Sequence, residues 1–167
     1  MLVVRATKKL RDRVGPLTLR PGEASSTRLG DWYATAWFWK PQVVLLVSEA
    51  TLFPVLMPLA PAATLLARFP GHLAQALAGQ EVPQGFISAE LAQMQEARLA
   101  PTASRSVVGI MNEFTFLAES ARPDPMDFDA ANLTALANWL AGTPCSPLFT
   151  RHTSPDRELR ALVQQEP

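Results

Sequence analysis

A single cysteine, Cys145, stands in the 167 residues, so no intrachain disulfide can form and a secreted disulfide scaffold is excluded. Histidine is nearly as scarce: His72 and His152 belong to no HExxH arrangement and no CxxC pair accompanies them, so a structural zinc site lacks its ligands. GxGxxG, the Walker A loop and GxSxG are missing as well, which argues against the folds that carry them and leaves other enzyme classes open. No motif implies a cofactor. Long apolar runs are also absent. The richest region, roughly 43–67, is interrupted by Ser48, Glu49 and the prolines Pro54, Pro58 and Pro61, whereas a membrane helix needs about 20 apolar residues in a row. The opening MLVVRATKKLRDRVG becomes charged after four apolar residues and has no small-residue cleavage pattern. Together these point to a cytoplasmic protein with no membrane partner.

Excess charge of either sign is the last absence. Fifteen Lys and Arg balance fifteen Asp and Glu, so bulk electrostatics selects neither nucleic acid nor an anionic membrane. The distribution is uneven, however. Residues 1–40 carry eight basic and three acidic side chains, residues 41–100 two and four, and residues 101–167 five and eight. A basic N-terminal part therefore faces an acidic remainder. Hydrophobic residues make up 48%, ordinary for a folded chain, and the length suits one domain over residues 1–167.

The patterning predicts a first strand at Leu2 to Ala6 and a short helix from Thr7 to Val14, stopped by Gly15 and Pro16. A Pro- and Gly-containing loop fills 15–30. An aromatic strand, Trp32 to Trp39, turns at Lys40 to Gln42 into a second strand, Val43 to Val47. Pro54 and Pro58 limit the next segment, Leu52 to Leu59, to an edge strand or irregular chain. Helical patterns follow from Pro61 to Ala78, with Pro70 and Gly71 expected to break or divide it, and from Ile87 to Gln95. Ala97 to Pro101 suits a further strand. Helices at 105–118 and 130–141 flank a charged loop from Arg122 to Asp129, and Ser154 caps a last short helix with Pro155 in its first turn. The class is α+β: a small, mostly antiparallel sheet with helices concentrated in the C-terminal half.

The stretch RSVVGIMNEFTFL, residues 105–117, carries two stripes. Val107, Ile110, Met111, Phe114 and Leu117 recur at helical spacing and make a buried face. Arg105, Gly109, Asn112 and Phe116 form a second row, bordered by Ser106 and Glu113. Glycine costs about 1 kcal/mol against alanine inside a helix. Either another backbone packs closely on Gly109, with Arg105 and Asn112 tying a neighbouring loop, or a ligand approaches there.

Other features invite chemistry. Lys8, Lys9, Arg11 and Arg13, with Arg5 nearby, are the densest positive cluster and suit phosphate or nucleic-acid contact, though Asp12 dilutes them and a solvated helix face has the same composition. Trp32, Tyr33, Trp37 and Trp39 could stack on bases. Strand alternation puts the last three on one face and Trp32 on the other, which suits a sheet core better. Asp31 and Glu49 fall near one end of the hairpin, where a carboxylate pair could do acid/base work. Cys145 reads as a buried thiol.

Four segments resemble a family of small uncharacterised bacterial proteins. They are ATKKL at Ala6 to Leu10, GDWYA at Gly30 to Ala34, VLLVSEATLFPVL at Val44 to Leu56, and SRSVVGIMNEF at Ser104 to Phe114. The likeness spans roughly residues 1–118. It departs at Ser104, where the family pattern has Asn, and at Glu113, where it has Asp. The resemblance implies no activity. It marks Thr7, Lys8 and Lys9, then Asp31, Trp32 and Glu49, and finally Arg105, Ser106 and Asn112 as residues of a shared pocket.

Three functional classes follow as expectations. The first is a non-catalytic cytoplasmic binding or accessory domain, taking a small anionic ligand or a protein partner on the basic segment and the Arg105/Asn112 face. The second is a small enzyme acting on a phosphorylated or nucleotide substrate, with Asp31, Glu49 or Glu113 as acid or base. The third is a structural domain with an exposed apolar patch around 61–79.

Overall fold

The computed structural model describes residues 1–121, 124, 129–148 and 153–165. Five strands form one sheet: β1 (Leu2–Ala6), β2 (Trp32–Trp37), β3 (Val43–Ser48), β4 (Pro54–Pro58) and β5 (Ala97–Pro101), in the order β4-β3-β2-β1-β5. Among the described residues six α-helices accompany them: α1 (Lys8–Val14), α2 (Leu65–Gly79), α3 (Gln84–Ala92), α4 (Arg105–Ala121), α5 (Ala130–Ala141) and α6 (Pro155–Gln164). The fold is α+β, with its helices concentrated towards the C-terminal half. The larger share of the sheet register is antiparallel, across β2-β3-β4, while β1 pairs in parallel with β2 on one side and β5 on the other. Of the charged 122–129 loop, only Asp124 and Asp129 belong to the described residues.

Every residue of β2 and β3 is buried. Both faces of these strands are apolar in sequence, and each face meets helices, as a central strand with no polar side requires. One core joins Leu2, Val4, Ala6, Trp32 and Met57 to Leu10 of α1, Phe69 of α2, Ile87 of α3 and Leu159 of α6. The other joins Tyr33, Trp37, Val43, Leu45 and Val47 to Phe114 of α4 and Leu136 of α5. Successive side chains along a strand point to opposite faces, so the sequence alternation sorts residues between these layers.

Helix α2 departs from expectation. Pro70 lies inside a continuous helix and does not divide it. Proline in a helix interior costs about 3 kcal/mol, but Leu65, Phe69, Leu73 and Leu77 continue the same buried stripe on both sides of it. Each fully buried side chain of this kind contributes about 1.5–3 kcal/mol, so together they outweigh the break. Helix α3 starts at Gln84, three residues before the predicted Ile87, directly after Pro83.

The sheet's two edges are closed differently. Leu59 N–H donates to Gln42 O and Ser48 N–H to Phe53 O, and antiparallel alternation then turns Pro54, Leu56 and Pro58 outward. Two of those three have no N–H, which leaves the β4 edge a poor template for a further strand. At the β5 edge, the N–H groups of Thr18 and Leu19 both donate to Leu99 O, and Leu99 N–H donates to Thr18 Oγ1. Glu23 adds an ion pair with Arg98 at 3.2 Å. The 15–30 loop is thus the cover of that edge.

Candidate functional site

Strands β1 and β5 lie side by side in parallel, with Ala6 opposite Pro101. Their following helices leave in different directions. Helix α1 buries Leu10 in the core on one sheet face, while α4 buries Val107, Ile110 and Phe114 in the core on the other. Divergence of this kind at the carboxyl ends of neighbouring parallel strands opens a crevice that α/β proteins use for ligands. Thr7 and Lys8 continue from β1 on one side of it, and Thr102 to Arg105 continue from β5 on the other.

The turn into α4 is fixed from the sheet. Arg5 Nη1 donates to Pro101 O at 3.1 Å, while Arg5 Nε donates to Asp31 Oδ2 at 2.6 Å. Ser104 N–H donates to Tyr33 Oη at 2.9 Å, and Ser104 Oγ accepts from Val107 N–H at 3.3 Å as the helix cap. Arg105, Ser106 and Asn112 are exposed, and no hydrogen bond or ion pair engages their side chains among the described residues. A Cβ built on Gly109 would meet nothing within 4 Å. Close packing against another element therefore does not account for this glycine, and Arg105 and Asn112 tie no described loop. Thr102, Ser104, Arg105, Val108, Gly109 and Asn112 line an open concavity of about 380 Å³.

The other predicted residues lie elsewhere. Lys8 is exposed and pairs with Asp12 at 3.1 Å, one turn along α1. The Lys9 ammonium sits 5.9 Å from the centre of the Phe38 ring. Asp31 and Glu49 do share a corner, since Glu49 N–H donates to Asp31 O at 2.9 Å. Gly30 adopts φ +75° there, with the Glu49 Cβ 3.5 Å from where its own Cβ would stand. The Asp31 carboxylate is engaged by Arg5, and the Glu49 side chain is exposed. Neither they nor Glu113 line the concavity beside α4. Trp32 is fully buried on the opposite layer, edge-on to Phe69 at 5.0 Å.

The remaining aromatics hold α4 down. Trp37 Nε1 donates to Thr115 Oγ1 and Trp39 Nε1 to Glu119 Oε1, with the two indoles stacked 4.7 Å apart. Cys145 is buried, and burial together with the Glu113 charge pushes its thiol up to about 11. It is a packed thiol, as its type and burial suggest. Burial and the nearby Arg68 charge lower the His72 pKa, while His152 lies outside the described residues. Among the described residues, no group of three or more His, Cys, Asp or Glu could hold a metal.

Two features escaped the sequence reading. The pairing of Arg5 is one: expected beside the α1 cations, it instead joins the Asp31 corner to the start of α4. The other is a cleft of about 590 Å³ between α3, α6 and the 26–28 segment. Arg28 stacks its guanidinium 4.9 Å from the Phe86 ring and donates to Leu162 O and Gln165 O at the end of α6. The buried Glu90 carboxylate accepts the N–H groups of Arg28 and Leu29. The available signal was position, since Glu90 falls three residues after Ile87 on the buried side of α3.

Burial raises the Glu90 pKa, opposed by those two N–H donors and by the Arg28 charge. A carboxyl whose folded pKa lies above its unfolded value contributes stability below the unfolded pKa and loses it as pH rises through the folded one. Urea unfolding of the wild type and Glu90→Gln should therefore show the difference in stability moving in favour of the wild type as pH falls from above the raised Glu90 pKa towards the ordinary carboxylate value. A difference that stays flat would remove Glu90 as a titrating group.

A model of the family described as a domain of unknown function (DUF6933) matches residues 3–158. The chain belongs to this family. No curated protein and no solved structure matches it. The match to the DUF6933 family covers all of the sheet except Leu2 at the start of β1, and the concavity beside α4. Among the described residues, no helix is long and apolar enough to cross a membrane.

Proposed function

We propose that this chain is a cytoplasmic, non-catalytic binding domain for a small anionic ligand. The ligand lies beyond the carboxyl end of β5, against Thr102, Ser104 and the Arg105/Asn112 face of α4. One observation carries the reading: Arg105 and Asn112 stand exposed in an open concavity with no partner among the described residues, beside a glycine with open space above it. An arginine fork matches carboxylate or phosphate geometry, and the first turn of α4 adds backbone N–H groups and a favourable dipole. Binding, and not turnover, is the better reading because Asp31 is engaged by Arg5, and neither Glu49 nor Glu113 lines the concavity.

The test is thermal unfolding against a panel of small phosphorylated and carboxylated metabolites. A ligand at about a hundred times its Kd stabilises by about 2.7 kcal/mol, which raises Tm by about 5–10 °C in a domain of this size. The shift should vanish in Arg105→Ala, whose own Tm should stay at the wild-type value because the side chain is exposed and unpaired. Retention of the full shift in that variant would refute the assignment.

A further inference from the structure

We infer that a second surface, formed by α1 and the turn between β2 and β3, binds single-stranded nucleic acid. It is separate from the crevice and does not depend on the function proposed for it. Two contacts join the helix to the turn. Lys9 reaches over the Phe38 ring, and Arg13 Nη1 donates to Gln42 Oε1. Lys40 lies between those turn residues in sequence, exposed and without a partner among the described residues. Lys9 and Arg13 thus lie against a turn that carries the exposed Lys40, in a chain whose formal net charge is zero. The one acid in this stretch, Asp12, is held by Lys8 at 3.1 Å. Glu119 belongs to the opposite sheet face, where it accepts from Trp39 Nε1.

The exposed ring makes the partner more specific than a generic polyanion. Phe38 is 53% exposed, although Trp37 and Trp39 on either side of it are buried. Its neighbours turn towards α4, so alternation leaves Phe38 on the α1 side, where Lys9 meets it. A half-exposed ring flanked by cations is a stacking platform for a base, with Lys and Arg placed for the flanking phosphates. Membrane insertion would call for an apolar tip. Here Lys40, Pro41 and Gln42 follow the ring. A duplex keeps its bases stacked within itself and offers this ring nothing to stack on.

Fluorescence anisotropy with labelled oligo-dT and oligo-U of about 12 nucleotides, beside a duplex of equal length, is the deciding experiment. The single strands should bind more tightly than the duplex. Contact with about four phosphates would give a slope near −3 for log K against log salt. Phe38→Ala should weaken binding about tenfold, while Lys9→Ala and Arg13→Ala should each flatten the salt slope by about 0.7. All three side chains are exposed, so unchanged thermal unfolding is the control for folding. Arg105→Ala should bind the oligonucleotide normally, which separates this site from the crevice. Absence of binding at low salt overturns the proposal. So does equal binding of duplex with no effect of Phe38→Ala, which would leave an electrostatic patch alone. Phe38-dependent capture by phosphatidylserine vesicles without oligonucleotide binding would assign the surface to lipid and overturn it as well.

Discussion

Replacing Phe114 by alanine should lower unfolding stability by about 3–5 kcal/mol, the usual range when a fully enclosed phenylalanine is cut back. Phe114 is completely buried in the middle of α4, among the Tyr33, Trp37 and Val47 side chains of that core. Losing the ring removes apolar contact and leaves a cavity that close-packed neighbours fill only in part. Against a total stability of about 5–15 kcal/mol for a typical domain, the loss is large enough to depopulate the folded state on modest warming. Phe116 supplies the control. It is the same residue type two positions along the same helix, yet it is 77% exposed, and Phe116→Ala should change stability by no more than about 0.5 kcal/mol. Urea unfolding of the two variants side by side measures the contrast. Equal effects would mean that α4 does not lie on the sheet as described.

The second large effect is expected at Asp31. Its carboxylate receives Arg5 Nε at 2.6 Å, with the two side chains only 12% and 23% exposed. Removing one member of a fully buried pair costs about 3–5 kcal/mol, because the other charge is left desolvated and alone. Partial exposure reduces that to about 2 kcal/mol for Asp31→Ala. Arg5 also holds Pro101 O at the end of β5. The variant should therefore loosen the turn that sets Ser104 and Arg105, and amide hydrogen exchange should rise in the first turn of α4. In Arg5→Met, stability should recover part of the loss when combined with Asp31→Ala, since the double variant leaves no unpaired charge behind. A double variant that falls by the sum of the single losses would show that the pair is not coupled.

Phe114 and the Arg5–Asp31 pair differ in how locally the chain encodes them. Phe114 was legible because helical periodicity is local: Val107, Ile110, Met111 and Phe114 fall on one side of any helix built from 105–118. The same holds for the β2-β3 hairpin, where alternation sorted Trp32 from Tyr33, Trp37 and Trp39 before the layers were known. The role of Arg5 was not legible. Its pairing depends on β1 lying in register beside β2, with Val4 opposite Trp32 and Arg5 opposite Tyr33, and no local pattern encodes the choice of a strand's neighbour. Glu90 is a similar case, since its partners come from the 28–29 segment, some sixty residues away.

The candidate site divides along the same line. Sequence spacing alone put Arg105, Gly109 and Asn112 in one row, and the hairpin brought Asp31 and Glu49 to one corner. Whether that row met another part of the chain was a question of distance between elements, and the open space above Gly109 answers it. The continuity of α2 through Pro70 has the same origin. Local chemistry argues for a break, and burial of Leu65, Phe69, Leu73 and Leu77 against the sheet overrides it. By itself, then, the sequence determined the α+β class, the positions of most elements and the side of each that is buried, because these follow from periodicity and backbone chemistry over a few residues. Only the tertiary structure decided the strand order, the parallel placement of β1 between β2 and β5, and the open concavity beside Arg105 and Asn112. Those depend on the total apolar surface that one arrangement of elements removes from water, a quantity no short stretch of chain contains.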